Sequence, residues 1–417
     1  MSDHVRLSRT LLSGISRGWL LLGPSNRLKM LLIFFLCAII GSLEFLFFLL
    51  VSPFVRVRLG RISSERIGHF ILEYDWYFSF LKKQDIPKLR PQIDIFFYKG
   101  KICNTYLDQL WRQKVRILPR TLIFPLFAVL RVFPSLSRFL VPLPLRPTDF
   151  SVIDNLPSSI KLTDLEIDKG VETLKSLGIL ENSKLVCLYV RDSAYAESLG
   201  LQVDFTSYRD SSIENYIPLI QELTNRGFFV LRMGKVTDKE LIVRSPKFLD
   251  YANSKIRSDF LDFYISSVCE FAICTDSGMM QFPIAFRKPL GLVNVPAFHG
   301  VLKGDCLTLF QFMTFLDSTT ELQLNLKELM NRGFEDIDHL QGFLDIQISH
   351  VENSSTELLN FALELLEVIE SPNENEAKYL NISEAFKSVT KLNNEDIKVP
   401  RLSLSWEMNH PYFLSNS

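Results

Sequence analysis

The sequence lacks the features that mark several large classes of protein. Its 46 Lys and Arg residues nearly balance 47 Asp and Glu residues, for a formal net charge of −1, so it has no basic excess for nucleic acid. Its six cysteines form no Cys-x-x-Cys pair, which favours buried reduced thiols over a disulfide framework or a zinc site. No Gly-x-Gly-x-x-Gly follows a strand and no P-loop sequence occurs, so a dinucleotide redox cofactor and a P-loop nucleotide site are both disfavoured.

A long apolar run is present near the N-terminus. Residues 30–55 are interrupted by Gly41, Ser42 and Glu44, and as one helix they would extend about 39 Å, more than the ~30 Å hydrocarbon core of a bilayer. Residues 6–23 resemble an interfacial amphipathic helix. The sequence therefore predicts a membrane-associated segment at residues 1–55, either as a single span or as a hairpin. A second apolar stretch, residues 121–145, fits either a core helix or contact with the same bilayer.

Beyond this run, short apolar strands alternate with helical segments. The pattern predicts a small Rossmann-like domain at residues 56–165, a second one at residues 166–330 with a parallel, doubly wound sheet, and C-terminal helices and a tail at residues 331–417. In the second domain, Ser211 and Glu214 have the spacing of a capping box for a helix that ends at Gly227. The fold class predicted is therefore α/β.

Polar residues follow the strands of the second domain where their carboxyl ends should meet. Ligands of doubly wound sheets bind at that edge. Guanidinium groups bind phosphate oxygens in pairs, and a helix start offers unpaired N–H groups. The alternative for the turn in FAICTDSGMM is plain helix capping by Asp276 or Ser277. The predicted phosphate-binding residues are Arg191, Asp192, Ser193, Arg232, Gly234, Thr275, Asp276, Ser277 and Gly278.

Three stretches carry a resemblance to a known family: VRDSAY, YRDSSIENYIPLIQELTNRGFFVLRMG and SDFLDFYISSVCEFAICTDSGMMQFPIAFRKP. They resemble a bacterial family of glycosyltransferases and, more distantly, the ADP-heptose:lipopolysaccharide heptosyltransferases. The resemblance runs from residue 56 to about residue 370 and is most specific over residues 191–289. It implies a GT-B fold, in which two Rossmann-like domains face a cleft and the second binds the nucleotide-sugar donor.

The resemblance also implies roles for individual residues. Asp276, Ser277 and Gly278 occupy the diphosphate-binding turn, and Arg191 matches a basic residue after the first strand of the donor domain. His69 falls where heptosyltransferases have an acidic residue that acts as base, so it is either the catalytic base or a structural histidine. No metal and no cofactor are implied, because the nucleotide-sugar is a co-substrate.

Other residues receive structural interpretations. The acidic pair at Asp336 and Asp338 is interpreted as surface charge. Asp210 and Glu214 are interpreted as structural residues. The glycosylation sequon at Asn353 is interpreted as a chance match.

These observations predict a glycosyltransferase that moves a sugar from a nucleotide-sugar to a lipid-linked, lipopolysaccharide, capsule or O-antigen acceptor. The predicted location is the bacterial inner membrane with the catalytic domains in the cytoplasm, and the predicted partners are the nucleotide-sugar, the glycan acceptor and the membrane. Two alternatives remain: a catalytically silent GT-B-like scaffold of a polysaccharide assembly complex, and an epimerase-like enzyme acting on a nucleotide-sugar.

Overall fold

The computed structural model describes residues 24–83, 91–143, 152–198, 207–298, 307–334, 339–372 and 401–415, with the single residues 200, 301, 337, 378 and 379. The predicted interfacial stretch at residues 6–23 and the acidic pair Asp336 and Asp338 lie outside the described residues. The chain divides into two compact units. One comprises Met1–Glu65 with Gln84–Leu143, and the other comprises Arg66–Lys83 with Pro144–Ser417.

Helices and strands alternate along most of the described chain. The helices are α1 (Pro24–Val51), α2 (Ile67–Lys83), α3 (Thr105–Lys114), α4 (Arg120–Val132), α5 (Asp164–Ser176), α6 (Ala194–Ser198), α7 (Ile217–Asn225), α8 (Asp259–Val268), α9 (Gln281–Ala285), α10 (Leu326–Asn331), α11 (Leu340–Asp345), α12 (Ser355–Glu370) and α13 (Leu404–Asn409). The strands are β1 (Arg56–Ile62), β2 (Gln92–Tyr98), β3 (Arg116–Ile117), β4 (Leu185–Tyr189), β5 (Phe229–Arg232), β6 (Phe248–Leu249), β7 (Phe271–Cys274), β8 (Leu290–Val295), β9 (Leu309–Phe312), β10 (Thr314–Asp317), β11 (Ile348–Val351) and β12 (Arg401–Leu402).

The first unit contains a parallel sheet of β1, β2 and β3 in that order. Helix α4 packs on it and contributes Ile123, Phe127 and Leu130 to a buried apolar cluster. Of the two alternatives for the second apolar stretch, the structure therefore has residues 120–132 as a core helix.

Helix α1 packs along α4 through a small residue and a polar one. A Cβ atom at Gly41 would lie 2.5 Å from the carbonyl oxygen of Pro125, so only glycine permits this approach. Glu44 Oε2 accepts a hydrogen bond of 2.9 Å from Leu126 N, directly after the proline inside α4. Burial raises the pKa of the Glu44 carboxyl, although this backbone hydrogen bond lowers it. Gly41 and Glu44, which interrupt the apolar run, thus both make contacts with α4.

Within the described part of the chain, no helix combines the length and the apolarity needed to cross a bilayer. This finding contradicts the predicted bacterial inner-membrane location and gives no support to a membrane-associated segment at residues 1–55. The prediction takes residues 30–55 as a run long enough to cross a bilayer, either as a single span or as a hairpin. In the structure α1 ends at Val51 and one of its faces packs against α4, while Leu46, Phe47 and Leu50 stay exposed.

The second unit is built on a parallel sheet with the strand order β12-β9-β8-β7-β4-β5-β6. Strands β4, β7 and β8 are buried along their whole length, which is typical of parallel sheets covered on both faces. Strands β10 and β11 form a separate antiparallel pair. The predicted α/β class with parallel sheets is confirmed.

The predicted capping box before α7 is wrong. A 3-10 turn, Ile213–Tyr216, precedes α7, and Glu214 pairs with Lys239 instead of returning to a helix start. Ser211 Oγ donates a hydrogen bond of 2.8 Å to Glu352 Oε2. Partners distant in sequence therefore outcompete the local motif. The stop at Gly227 is confirmed by its φ of +98°.

Candidate functional site

Strands β4 and β7 end side by side at the point where the strand order reverses. From β4 the chain adds β5 and β6 on one side, and it then returns to place β7 on the other. Tyr189 and Cys274 are register partners. Just beyond them, Thr275 Oγ1 accepts a hydrogen bond of 2.9 Å from Arg191 N. Doubly wound folds bind ligands at this switch point.

Arg191 is mostly buried at this edge and forms an ion pair with Asp210. Ser193 Oγ donates a hydrogen bond to the same carboxylate. Burial, together with the neighbouring positive charge of Arg209, lowers the pKa of Arg191 to about 10. Asp210, which the sequence analysis interprets as structural, thus contacts two of the predicted site residues.

Arg209 is the residue that sequence reasoning missed. Its Nη1 lies 3.9 Å from Asp276 Oδ2, and its buried Nε has no hydrogen-bond partner among the described residues. One signal in the sequence points to it, because the triplet Arg-Asp-Ser occurs both at residues 191–193 and at residues 209–211. The structure brings both arginines to the end of β4 and β7.

In the turn that follows β7, the Ser277 side chain does not cap the next helical turn. Ser277 occupies the N-cap position of a 3-10 turn, Gly278–Met280, with extended φ and ψ of −146° and 161°, and its side chain makes no capping hydrogen bond. Gly278 is exposed. Capping by Ser277, one of the two residues that the capping alternative names, therefore does not occur.

Helix α2 begins against this turn. A Cβ atom at Gly68 would lie 2.7 Å from Gly278 Cα, and one at Gly278 would lie 3.0 Å from Gly68 N. Both residues belong to the second unit. His69 follows Gly68 directly and is half-buried. The predicted base is thus one residue from the contact with Gly278, which belongs to the predicted diphosphate-binding turn.

An ion pair holds α2 in this position. Arg287 donates to Asp75 at 2.6 and 3.2 Å through its two terminal nitrogens, and its Nε donates to Leu156 O at 3.0 Å. Arg287 has a φ of 58°, a left-handed conformation that is uncommon for a residue with a side chain. The contact ties α2 to the end of α9.

The predicted residues at the end of β5, Arg232 and Gly234, are engaged in packing. Arg232 is 1% exposed, and its Nη1 donates to Lys239 O at 2.6 Å and to Asp250 Oδ2 at 3.1 Å. Gly234 is buried, and a Cβ atom there would lie 3.1 Å from Ala252 Cβ. Arg232 and Gly234 therefore both contact other parts of the second unit.

A polar cavity of about 420 Å³ lies in the second unit, and its lining includes Asp210, the ion-pair partner of Arg191. Its volume falls within the usual range for small-molecule sites. Asp192 Oδ1 accepts a hydrogen bond of 3.1 Å from Ala194 N, and its Oδ2 accepts one of 3.1 Å from Asp238 N. No group of three or more His, Cys, Asp or Glu side chains suited to a metal occurs in the described part of the chain. The cavity is lined by, among others, Asp192, Ser193, Asp210, Arg232, Lys239 and Glu352.

No protein-family model and no curated protein sequence matches the chain. Among solved structures it is similar to a family 9 glycosyl transferase from Veillonella parvula, at 10% identity and a TM-score of 0.41 over 75% of this chain and 97% of the other. It is also similar to the ADP-heptose lipopolysaccharide heptosyltransferase II of E. coli, at 12% identity and a TM-score of 0.35 over 57% of this chain and 84% of the other.

A third similar structure is the iron-containing dodecameric glycosyltransferase TibC from enterotoxigenic E. coli, at 10% identity and a TM-score of 0.31 over 57% of this chain and 58% of the other. The distant resemblance stated from the sequence is confirmed by these matches. At such identities and TM-scores they carry no argument about function, which rests on the site itself.

Proposed function

We propose that this chain is a glycosyltransferase that binds the diphosphate of a nucleotide-sugar where β4 and β7 end. The observation that carries the proposal is that two arginines, Arg191 and Arg209, lie close together beside the turn at Ser277 and Gly278, where the Ser277 side chain makes no capping hydrogen bond. Guanidinium groups and the N–H groups at a helix start both bind phosphate in proteins.

The charges of the arginines support an anion site. Burial and the charge of Arg209 both disfavour the charged form of Arg191. Two cations held close together in a partly desolvated place repel each other, and a bound anion offsets that repulsion. The 3.9 Å between Arg209 and Asp276 is too long for a hydrogen bond, so the Arg209 guanidinium can bind phosphate oxygens without breaking one.

The cavity lined by Asp192 and Asp210 supports a hydroxylated ligand. Carboxylates accept hydrogen bonds from sugar hydroxyl groups and repel phosphate, so the acidic lining from Asp192, Asp210 and Glu352 suits the uncharged parts of a nucleotide-sugar. The diphosphate then lies towards Arg209 and Gly278.

The chemical step requires a base and a stabilised leaving group. The acceptor oxygen forms a bond to the anomeric carbon while the bond from that carbon to the diphosphate oxygen breaks, and the electron pair leaves with the diphosphate. Arg191, Arg209 and the turn at Gly278 stabilise the leaving charge. His69 is proposed to take the acceptor's proton, since an imidazole exchanges protons near neutral pH.

The finer parts of the predicted function stay predictions. They are the acceptor, which the sequence predicts to be a lipid-linked or lipopolysaccharide, capsule or O-antigen glycan, and catalysis without a metal. The stereochemical course is open as well.

One observation favours the alternative of a catalytically silent scaffold. Arg191 already faces Asp210, and Arg209 already faces Asp276, so the charges are compensated within the protein. A scaffold of this kind would bind no nucleotide-sugar and turn none over.

The proposal is tested by thermal unfolding of the full chain with a panel of nucleoside diphosphates and nucleotide-sugars. A ligand at about 100 times its dissociation constant adds roughly 2.7 kcal/mol to the free energy of unfolding. One nucleotide family should raise the melting temperature of the wild type, and the double variant Arg191→Ala with Ser277→Tyr should lose the shift. Release of the nucleoside diphosphate from the matching nucleotide-sugar should then show turnover.

Arg226→Ala is the matched control, because Arg226 forms an exposed pair with Glu222 within α7. It should keep the shift. Binding without turnover on any glycan acceptor contradicts the transferase step, and a folded wild type that responds to no nucleotide contradicts the proposal and favours the scaffold.

A further inference from the structure

The segment of residues 209–212, called the 209–212 loop below, connects the candidate site to a buried polar network. On the side of the site, Asp210 pairs with Arg191, and Ser211 N donates a hydrogen bond of 3.0 Å to Arg191 O. Arg209 faces Asp276. The position of both guanidinium groups therefore depends on where this loop lies.

On the side of the loop away from the candidate site, Asn294 and Asn353 form two reciprocal hydrogen bonds. Asn294 N donates to Asn353 Oδ1 at 3.0 Å, and Asn353 N donates to Asn294 Oδ1 at 2.6 Å. Both are fully buried, and Asn294 has a φ of 53°. Asn353 Nδ2 donates to Phe312 O at 2.8 Å. The Asn353 side chain is thus buried and hydrogen-bonded through both of its polar atoms.

The asparagine pair is connected to the 209–212 loop through the hydroxyl group of Ser211. Asn294 Nδ2 donates to Ser211 Oγ at 2.9 Å and to Tyr216 Oη at 3.1 Å. Glu352, the neighbour of Asn353, accepts from Ser211 Oγ at 2.8 Å and from Ser212 N at 2.9 Å. Buried polar networks in which the members are satisfied fix one local geometry, because any displacement leaves a desolvated polar group unpaired.

We propose that Asn294 and Asn353 are positioning residues, which act through Ser211 to hold the 209–212 loop so that Arg209 and Arg191 both face the diphosphate. This inference rests on the proposed function. It gives the stretch VENSS, which contains the sequon at Asn353, a role in the site that is unrelated to glycosylation.

The test measures the affinity of the folded protein for whichever of pyrophosphate, ADP, GDP, UDP and dTDP binds the wild type most tightly. Asn294→Gly keeps the backbone conformation and removes the side chain. Ser211→Ala removes only the hydroxyl group that links Asn294 to the loop. It replaces Asn294→Gly as the test variant if Asn294→Gly does not fold. Each should weaken binding about tenfold, a change of about 1.4 kcal/mol.

A double-mutant cycle separates positioning from general stability. Because the loop positions Arg191 as well as Arg209, each substitution should still weaken binding in an Arg209→Ala background, but by less than it does in the wild type. Gln311→Leu is the control, because Gln311 Nε2 donates to Asn353 Oδ1 at 3.0 Å and, in the part of the chain that the structure describes, Gln311 makes no hydrogen bond to the 209–212 loop. It should bind like the wild type.

Three results would overturn the inference alone: wild-type affinity in both variants, the same loss in the Arg209→Ala background as without it, or an equal loss in Gln311→Leu. A folded wild type that binds none of the five probes overturns the proposed function and the inference with it.

Discussion

Gly68 and Gly278 touch through their backbones, and at Gly68 there is no room for a side chain. A Cβ atom at Gly68 would meet Gly278 Cα at 2.7 Å, a distance that real Cβ contacts do not adopt. The obstacle is backbone, so the neighbour cannot rotate away. The start of α2 and the turn after β7 therefore constrain each other at the scale of a single residue.

Gly68→Ala should weaken the binding of a nucleoside diphosphate about tenfold, since the turn at Gly278 has to shift. Titration calorimetry measures the change. Gly342→Ala is the control: it also adds one methyl group within a helix, but that methyl meets only side-chain atoms of Ile337 and His339 at 3.2 Å or more. If Gly68→Ala and the wild type bind the nucleoside diphosphate with equal affinity, the contact between Gly68 and Gly278 does not contribute to ligand binding.

At the scale of an element, helix α2 owes its position to the pair between Asp75 and Arg287. Asp75 is buried, and its Oδ1 also accepts a hydrogen bond of 3.2 Å from Ser159 N. Removing one partner of a buried ion pair leaves the other charge uncompensated, which costs more than the pair itself contributes.

Arg287→Ala should lower the free energy of unfolding of the second unit by about 3 kcal/mol, measured by urea denaturation. Arg226→Ala removes an exposed pair and should change it by about 0.5 kcal/mol or less. A loss in Arg287→Ala no larger than in Arg226→Ala would mean that this ion pair does not hold α2.

Helix α12 begins at a capping box between Ser354 and Glu357. Burial raises the pKa of Glu357, but hydrogen bonds from His410 and Ser354 outweigh it and lower the pKa to about 2. Because the folded-state pKa lies below the ordinary value of 4.5, the carboxylate stabilises the fold above pH 4.5. That contribution is lost as the pH falls towards 2.

Glu357→Gln keeps the capping geometry and removes the charge. The difference in free energy of unfolding between the wild type and this variant should shrink as the pH falls below 4.5, in urea denaturation at a series of pH values. The corresponding difference for Glu370→Gln, at the exposed end of the same helix, should change less. A difference for Glu357→Gln that does not vary with pH would contradict the account.

At the scale of the whole molecule, the features that could be predicted from the sequence are those that follow from periodic patterns of apolar residues. The parallel sheet of the second unit follows from short buried runs such as FAIC and LGLVNV, and the polar residues at the ends of β4 and β7 meet because parallel strands end at one edge. These arguments need no knowledge of distant contacts.

The rest depends on partners that are remote in sequence. Arg209 enters the site because Ser211 is held by Asn294 and Glu352, and the apolar run near the N-terminus is interrupted because Glu44 contacts Leu126. Propensity and local motifs carry no information on such pairs. The local capping motif at Ser211 was therefore outweighed by tertiary contacts.

The most direct test of the diphosphate site is calorimetric titration of the wild type and of Arg209→Ala with a matched nucleoside monophosphate and diphosphate. The base is the one that gives the largest shift in melting temperature. The account predicts that the wild type binds the diphosphate at least about tenfold more tightly than the monophosphate, and that Arg209→Ala loses most of this difference. A wild type that does not distinguish the two ligands, or an Arg209→Ala variant that still does, would contradict it.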